Sequence, residues 1–288
     1  MNKDQKMLKF LFRNGSSFAY ALISLLLAVF PEEFFKTDVT ACLIKFFKST
    51  IEDENLWIAT VILNKVLLCL LVFFIVKLIY VIWKKFRRKV VMYGLNYSVS
   101  IEYGDILEIK KGKKVINFDE CFTTTVGEKP WEIKKDSICG QYLQKYGPID
   151  VNKLIENAKV KPAKSKSNFN NQTRYESGTI VPNGEFLLLA FARLDKNGKG
   201  CLTYEEYLNC LNKLWDQINI YRETEDVYIT ILGSHITNVD IELNQQQILD
   251  VMIASYRLSQ KRIRNPEKLH IVCRKQENFS INDVLGIE

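Results

Sequence analysis

Apolar and polar positions fall into two regimes along this chain. From Leu56 to Trp83 the residues are almost continuously apolar, with charge confined to Lys65 and Lys77, and the run ends in Lys84-Lys85-Phe86-Arg87-Arg88-Lys89. A helix of about 20 residues crosses a bilayer core of about 30 Å, so this stretch is long enough to span. A second uncharged run, Asn14 to Pro31, is centred on Phe18–Phe30 and follows Lys3, Lys6, Lys9 and Arg13. It resembles a signal peptide, but Ala28-Val29-Phe30 is a poor small-residue cleavage site and another span follows, so it reads as a retained helix. The pattern predicts a transmembrane α-hairpin, with helices at about 14–35 and 56–83, in an anchor of residues 1–90.

The loop between the spans carries Glu32, Glu33, Asp38, Glu52, Asp53 and Glu54 against Lys36, Lys45 and Lys48, whereas both outer flanks are basic. The positive-inside bias then places the N-terminus and the large C-terminal part in the cytoplasm of a two-pass protein of the cell (inner) membrane. Val39–Phe47 reads as a short helix in the outer interface. Lys65 and Lys77 either snorkel to the interfaces or face the inside of an assembly of hairpins. They lie about 120° apart on the helix, too far apart for one narrow stripe.

Beyond Tyr93 the period shortens, opening a domain of residues 91–288. Tyr97–Tyr103 alternates as a strand, Gly104-Asp105 turns the chain, and Ile106–Ile109 and Val115–Phe118 read as further short strands. Ser137 to Tyr146 has helical spacing and stops at Gly147-Pro148. Lys159 to Ser177 is rich in Lys, Ser, Asn and Gln and reads as a mobile loop. Gly178–Pro182 follows it. Phe186–Ala192 is apolar on both faces, as a central strand or a buried helical segment would be. Tyr204–Ile218 is an amphipathic helix capped by Thr203 and Glu206, and Gln245–Gln260 is one capped by Asn244 and Gln247. Val227–Leu232 and Leu269–Cys273 are buried strands. Strands alternating with helices give a central sheet covered on both faces.

The formal charge of +7 changes little in this picture, because the cluster after the second span supplies five basic groups. Each is worth about 1 kcal/mol near an anionic leaflet, which points to a lipid bilayer and not to nucleic acid. Seven cysteines without a CxxC pair argue against a disulfide framework or a zinc site and for reduced thiols. Asp195–Glu206 has calcium-loop spacing, but Lys199 stands where a ligand oxygen is wanted, so it reads as a glycine turn feeding a capped helix. The two histidines, His235 and His270, lack a metal-ligand spacing, and no nucleophile–base pairing stands out. No catalytic residue, metal or cofactor is expected. Gly233-Ser234-His235-Ile236-Thr237 directly follows a buried strand, where tight-turn N–H groups meet anions. Asn117-Phe118-Asp119-Glu120 sits at another strand end.

In this order the fragments resemble a macro domain, the three-layer α/β/α fold with a central mixed sheet that binds ADP-ribose. Gly104-Asp105-Ile106 resembles that family's Gly-Asp-Ile, whose Asp meets adenine. Val115-Ile116-Asn117 resembles the strand leading to its asparagine-bearing loop. Gly233–Thr237 resembles its phosphate loop, with His235 in place of a glycine. The Asn-Ala-Ala-Asn and triple-glycine signatures of ADP-ribose hydrolases are absent. Asp136–Tyr142, Gly184–Asp195 and Ile231–Ser234 are similar to the macro-type domain of membrane-anchored Thoeris antiphage effectors, a resemblance that covers nearly the whole chain. It implies a non-enzymatic receptor-effector. A TIR-domain enzyme makes an ADP-ribose-derived signal, a histidine conjugate; the domain binds it, and the protein homo-oligomerises and compromises the membrane. Asp105 and Ile106 would then meet adenine, and Gly233, Ser234, His235, Ile236 and Thr237 the diphosphate. Asn117, Phe118, Asp119 and Glu120, with Ser137, Cys139, Gly140 and Gln141, would surround the ribose end.

Overall fold

The computed structural model describes residues 19–25, 53–233 and 243–284. The chain divides into two compact units, Met1–Arg87 and Arg88–Ile287.

In the first unit, residues 19–25 are helical and α1 runs from Asp53 to Phe86. Within α1, the 23 residues Val61–Trp83 are long and apolar enough to cross a membrane, extending about 35 Å at the helical rise. Leu70, Leu71, Phe74 and Leu78 are exposed along it, as side chains that face lipid would be. The Tyr20 ring lies 6.5 Å from that of Phe73, and the Lys77 ammonium lies 5.6 Å from the Phe73 centroid. The rest of the first predicted span and the interfacial Val39–Phe47 segment lie outside the described residues.

In the second unit the sheet order is β1-β2-β8-β7-β3-β5-β4. Its strands are β1 (Lys89–Gly94), β2 (Tyr97–Tyr103), β3 (Lys113–Asp119), β4 (Thr179–Asn183), β5 (Phe186–Leu194), β7 (Val227–Thr230) and β8 (Leu269–Cys273), with β6 (Gly200–Cys201) paired to the end of β5. The five inner strands are parallel, and β1 and β4 close the two edges antiparallel. Pro182 sits in edge strand β4, a position where its missing N–H costs no ladder bond.

Helices cover both faces. α4 (Tyr204–Tyr221) and α5 (Gln245–Leu258) share one core with Val115, Leu187, Leu189, Ile229 and Ile271. α2 (Ile138–Tyr146) and α3 (Val151–Asn157) share the other with Ile116, Phe118, Leu188 and Ala190. Successive residues of β3 and β5 therefore face opposite cores, which is why Phe186–Ala192 shows no alternation. The strand alternative is the one the chain adopts. α4 buries Tyr207, Leu211, Leu214, Trp215 and Ile218 on one stripe, each worth about 1.5–3 kcal/mol of transfer free energy. The capping boxes expected at Thr203/Glu206 and Asn244/Gln247 are both formed.

Two local expectations are corrected. Ile106–Ile109 is not a strand: Ile106–Glu108 is a 3-10 turn, because the Asp105 carboxylate accepts the Leu107 N–H at 2.9 Å and folds the chain back on itself. β1 begins at Lys89, inside the basic cluster, where Lys89 pairs with Glu102 of β2 at 2.7 Å.

The polar stretch Lys159–Ser177 is not a free loop either. Ser167 and Tyr175 are buried, and the Glu120 carboxylate, itself 1% exposed, receives the Ser167 hydroxyl at 2.6 Å and Arg174 at 3.3 Å. A low apolar content did not leave this segment without partners, because its partner is a buried charge.

Candidate functional site

The next parallel strand after β3 is its neighbour β5, and the one after that, β7, lies on the other side of β3. This reversal is where an open α/β sheet forms a crevice beyond its carboxyl ends. β3 and β7 are paired only at Lys113–Lys114 with Val227–Tyr228, at their starts, so their carboxyl ends are free to diverge. A cleft of about 510 Å3 opens there. Its floor is Asn117–Asp119 from β3, Phe191 and Ala192 from β5, Thr230 from β7 with Ile231 just beyond it, and Val272–Cys273 from β8, and loops supply Trp131, Ser137, Gly233 and Arg274.

Of the residues singled out in the sequence, Asn117, Phe118, Asp119, Ser137, Cys139 and Gly233 line this cleft. Phe118 contributes little free surface: its ring is 2% exposed and packs on Phe122 and Tyr142. Asp119 is also buried, and Oδ1 accepts the N–H groups of Cys121 and Thr123 at 2.8 and 3.1 Å. Burial pushes its carboxyl above the usual range, and bonds from Thr123 and Cys121 oppose that rise. Ser137 caps α2: its Oγ accepts the Gly140 N–H at 3.0 Å and donates to the Lys134 carbonyl at 2.6 Å. Burial holds the Cys139 thiol well above its ordinary value, which disfavours the thiolate.

Five of the other expected contacts lie outside the cleft lining. Asp105 lies at the carboxyl end of β2, where the Gly104 N–H bonds the Cys273 carbonyl, but it is outside the cleft lining and its carboxylate caps the 3-10 turn. Ile106 is 1% exposed in the α2/α3 core. Glu120 also accepts the Leu194 N–H at 3.1 Å, so its carboxylate is engaged with protein on every side described. Gly140 serves packing, since a Cβ there would collide with the Lys134 backbone. Gln141 donates to the Asp136 carbonyl at 2.7 Å and accepts from Arg274 at 3.4 Å, steadying two cleft segments from behind. Ser234, His235, Ile236 and Thr237 lie outside the described residues.

Two features of the lining escaped the sequence reading. Arg274 follows β8 directly and is exposed; a guanidinium there can meet a phosphate with paired N–H donors. The rule that selected Gly233, ligands beyond strand ends, selects Arg274 too. Trp131 lies in the β3–α2 loop and stacks on Phe169, with centroids 5.9 Å apart and planes at 28°. An aromatic beside Pro130 in a polar loop was the available signal. Gly233 itself has φ +93°, a conformation that L side chains seldom adopt, so the peptide can approach a ligand bare. Asp195 Oδ1 accepts the Asn197 and Lys199 N–H groups, each at 2.8 Å, closing the β5–β6 turn on itself. Among the described residues no cluster suits a metal ion.

A cleft at the strand-order reversal, with a glycine turn and an exposed arginine at its rim, defines a ligand-binding α/β domain. Residues 99–274 match the family described as Thoeris protein ThsA, Macro domain, and the chain belongs to that family of antiphage effectors. It is 32% identical over 200 residues to Thoeris protein ThsA of Bacillus amyloliquefaciens (strain Y2), covering 66% of this chain and 67% of the relative. Among solved structures, an aspartate-to-alanine mutant of the Oceanobacillus iheyensis macrodomain has a TM-score of 0.45 at 7% identity, covering 66% of this chain and 91% of its own. The macrodomain of the same organism with ADP has a TM-score of 0.44 at 8% identity, covering 65% of this chain and 89% of its own.

Proposed function

We propose that this protein is a non-enzymatic membrane effector whose C-terminal domain senses an ADP-ribose-derived nucleotide, a histidine–ADP-ribose conjugate made by a TIR-domain enzyme. Binding then drives assembly of the protein and disruption of the bilayer. The observation that carries the reading is the cleft at the β3/β7 reversal, in a chain of the Thoeris ThsA macro family. Gly233 and Arg274 take the diphosphate, and Asn117 and Asp119 take the distal ribose. Adenine lies toward the β2 end, near Asp105.

The anchor reading rests on the apolar span of α1 and the basic residues after it. The two-pass topology, with both ends cytoplasmic, rests on charge distribution. Ligand can promote assembly only through a difference in affinity between free and assembled states. Tethering in a membrane supplies the rest by raising effective concentration.

The test is isothermal titration of the full chain in detergent with ADP-ribose and its histidine conjugate, followed by dye release from proteoliposomes. Saturable binding without turnover, and leakage that follows occupancy, are expected. Absence of binding by both compounds sinks the reading, and release of free ADP-ribose from the conjugate would replace it with a membrane-tethered hydrolase.

A further inference from the structure

Three segments that are distant in sequence interlock at the β5 end of the cleft. The β3–α2 loop brings Trp131, the Lys159–Ser177 excursion brings Phe169, and the β5–β6 turn brings Gly198. Gly198 has φ +79°, and a Cβ on it would strike the Trp131 backbone and side chain and crowd the Phe169 ring. The excursion is held in turn by the Glu120 carboxylate through Ser167 and Arg174, and by Tyr175 against Phe122, with centroids 5.5 Å apart. Trp131 nevertheless keeps 42% of its surface exposed and lines the cleft. A tryptophan left this open, yet stacked on Phe169 and approached by the Lys129 ammonium at 5.6 Å from its centroid, is a held platform and not a core residue.

Its position gives the platform a task. From β8 to β5 the cleft crosses four neighbouring strands, roughly 14 Å at the strand spacing. With the diphosphate at Gly233 and Arg274, on the β7–β8 side, and the distal ribose above β3, Trp131 stands where a substituent on that ribose must go. We infer that Trp131 is the residue that reads this substituent, by stacking on a planar ring. Phe169 and Glu120 are positioning residues that keep the indole in place. The inference rests on the proposed nucleotide reading and adds which side chain selects among ADP-ribose derivatives. A flat π-face favours a heteroaromatic ring over the bare hydroxyl of ADP-ribose, and each stacked ring contributes enough for a preference on the order of tenfold.

The experiment compares ADP-ribose with histidine–ADP-ribose by titration calorimetry on the full chain in detergent, for the wild type, Trp131→Phe and Trp131→Ala. Wild type and Trp131→Phe should prefer the conjugate on the order of tenfold. Trp131→Ala should lose that preference while keeping ADP-ribose affinity within about twofold. Conjugate-induced quenching of tryptophan fluorescence should also be smaller in Trp131→Phe. Phe169→Leu, which leaves the indole present but unbraced, should show an intermediate preference. A preference that survives Trp131→Ala, or an equal loss of both compounds in that variant, overturns the inference and leaves the nucleotide reading standing. Failure of the wild type to bind either compound counts against the nucleotide reading itself.

Discussion

Glu120 and Arg174 meet at 3.3 Å with the carboxylate 1% and the guanidinium 14% exposed. The pair fastens the end of β3 to an excursion that begins after α3. Removing one partner strands a buried charge, which typically costs about 3–5 kcal/mol, more than an exposed ion pair is ever worth. Glu120→Ala should therefore lower stability by about that amount, and the 159–177 segment should become the first site of proteolytic cleavage. Urea denaturation of the full chain in detergent, with limited proteolysis beside it, measures both. A variant as stable as wild type would show that the excursion is held by something else.

Gly233 is the point where ligand binding and fold can be separated. A valine there has to adopt a positive φ, which costs roughly 1–2 kcal/mol, and it adds two methyl groups at the rim of the cleft. Gly233→Val should lose ADP-ribose binding by at least tenfold while far-ultraviolet circular dichroism stays native. If calorimetry returns the wild-type affinity, the diphosphate is held elsewhere.

On the far half of the sheet, Glu102 accepts from His270 at 2.9 Å and pairs with Lys89 at 2.7 Å. These bonds, that from His270 foremost, depress its carboxyl from 4.5 to about 2. A depressed carboxylate contributes stability that is complete above its unfolded value and is lost as pH falls through the folded value. Wild type should thus lose stability between about pH 4.5 and 2 more steeply than Glu102→Gln. Denaturant midpoints across that window decide it, and identical slopes would assign the acid sensitivity to other groups.

For the anchor, an arginine at Leu71 falls near the middle of the Val61–Trp83 span. Insertion at that depth costs about 2.5–3.5 kcal/mol. Leu71→Arg should shift protein from the carbonate-resistant membrane fraction toward the extractable one. An unchanged distribution would mean that α1 is not what retains the protein.

What was legible in the sequence follows from which interactions are local. The helices α4 and α5 were readable because their apolar stripes and capping boxes lie within one turn of each other along the chain. Gly233 was readable because strand-then-glycine is also a local pattern. The Ile106 turn was missed because a single side-chain bond from Asp105 outweighs the β-propensity of two isoleucines. The excursion and Trp131 were missed for a different reason. Their stability comes from Glu120 and Phe169, 54 and 38 residues away in sequence, and no window on the chain brings such partners together. Glu120 shows the cost most directly: a carboxylate at a strand end looks like a ligand group until its three donors are in view.

The brief ladder between β3 and β7 divides the sheet into two panels, β1-β2-β8-β7 and β3-β5-β4, stitched only where Lys113 and Lys114 meet Val227 and Tyr228. Few main-chain bonds resist a small rotation of one panel against the other, and each is worth only about 1 kcal/mol net. The cleft lies above that seam, and the β7 side of the seam is continuous through β8 and β2 with β1, whose first residue is the third after the end of α1.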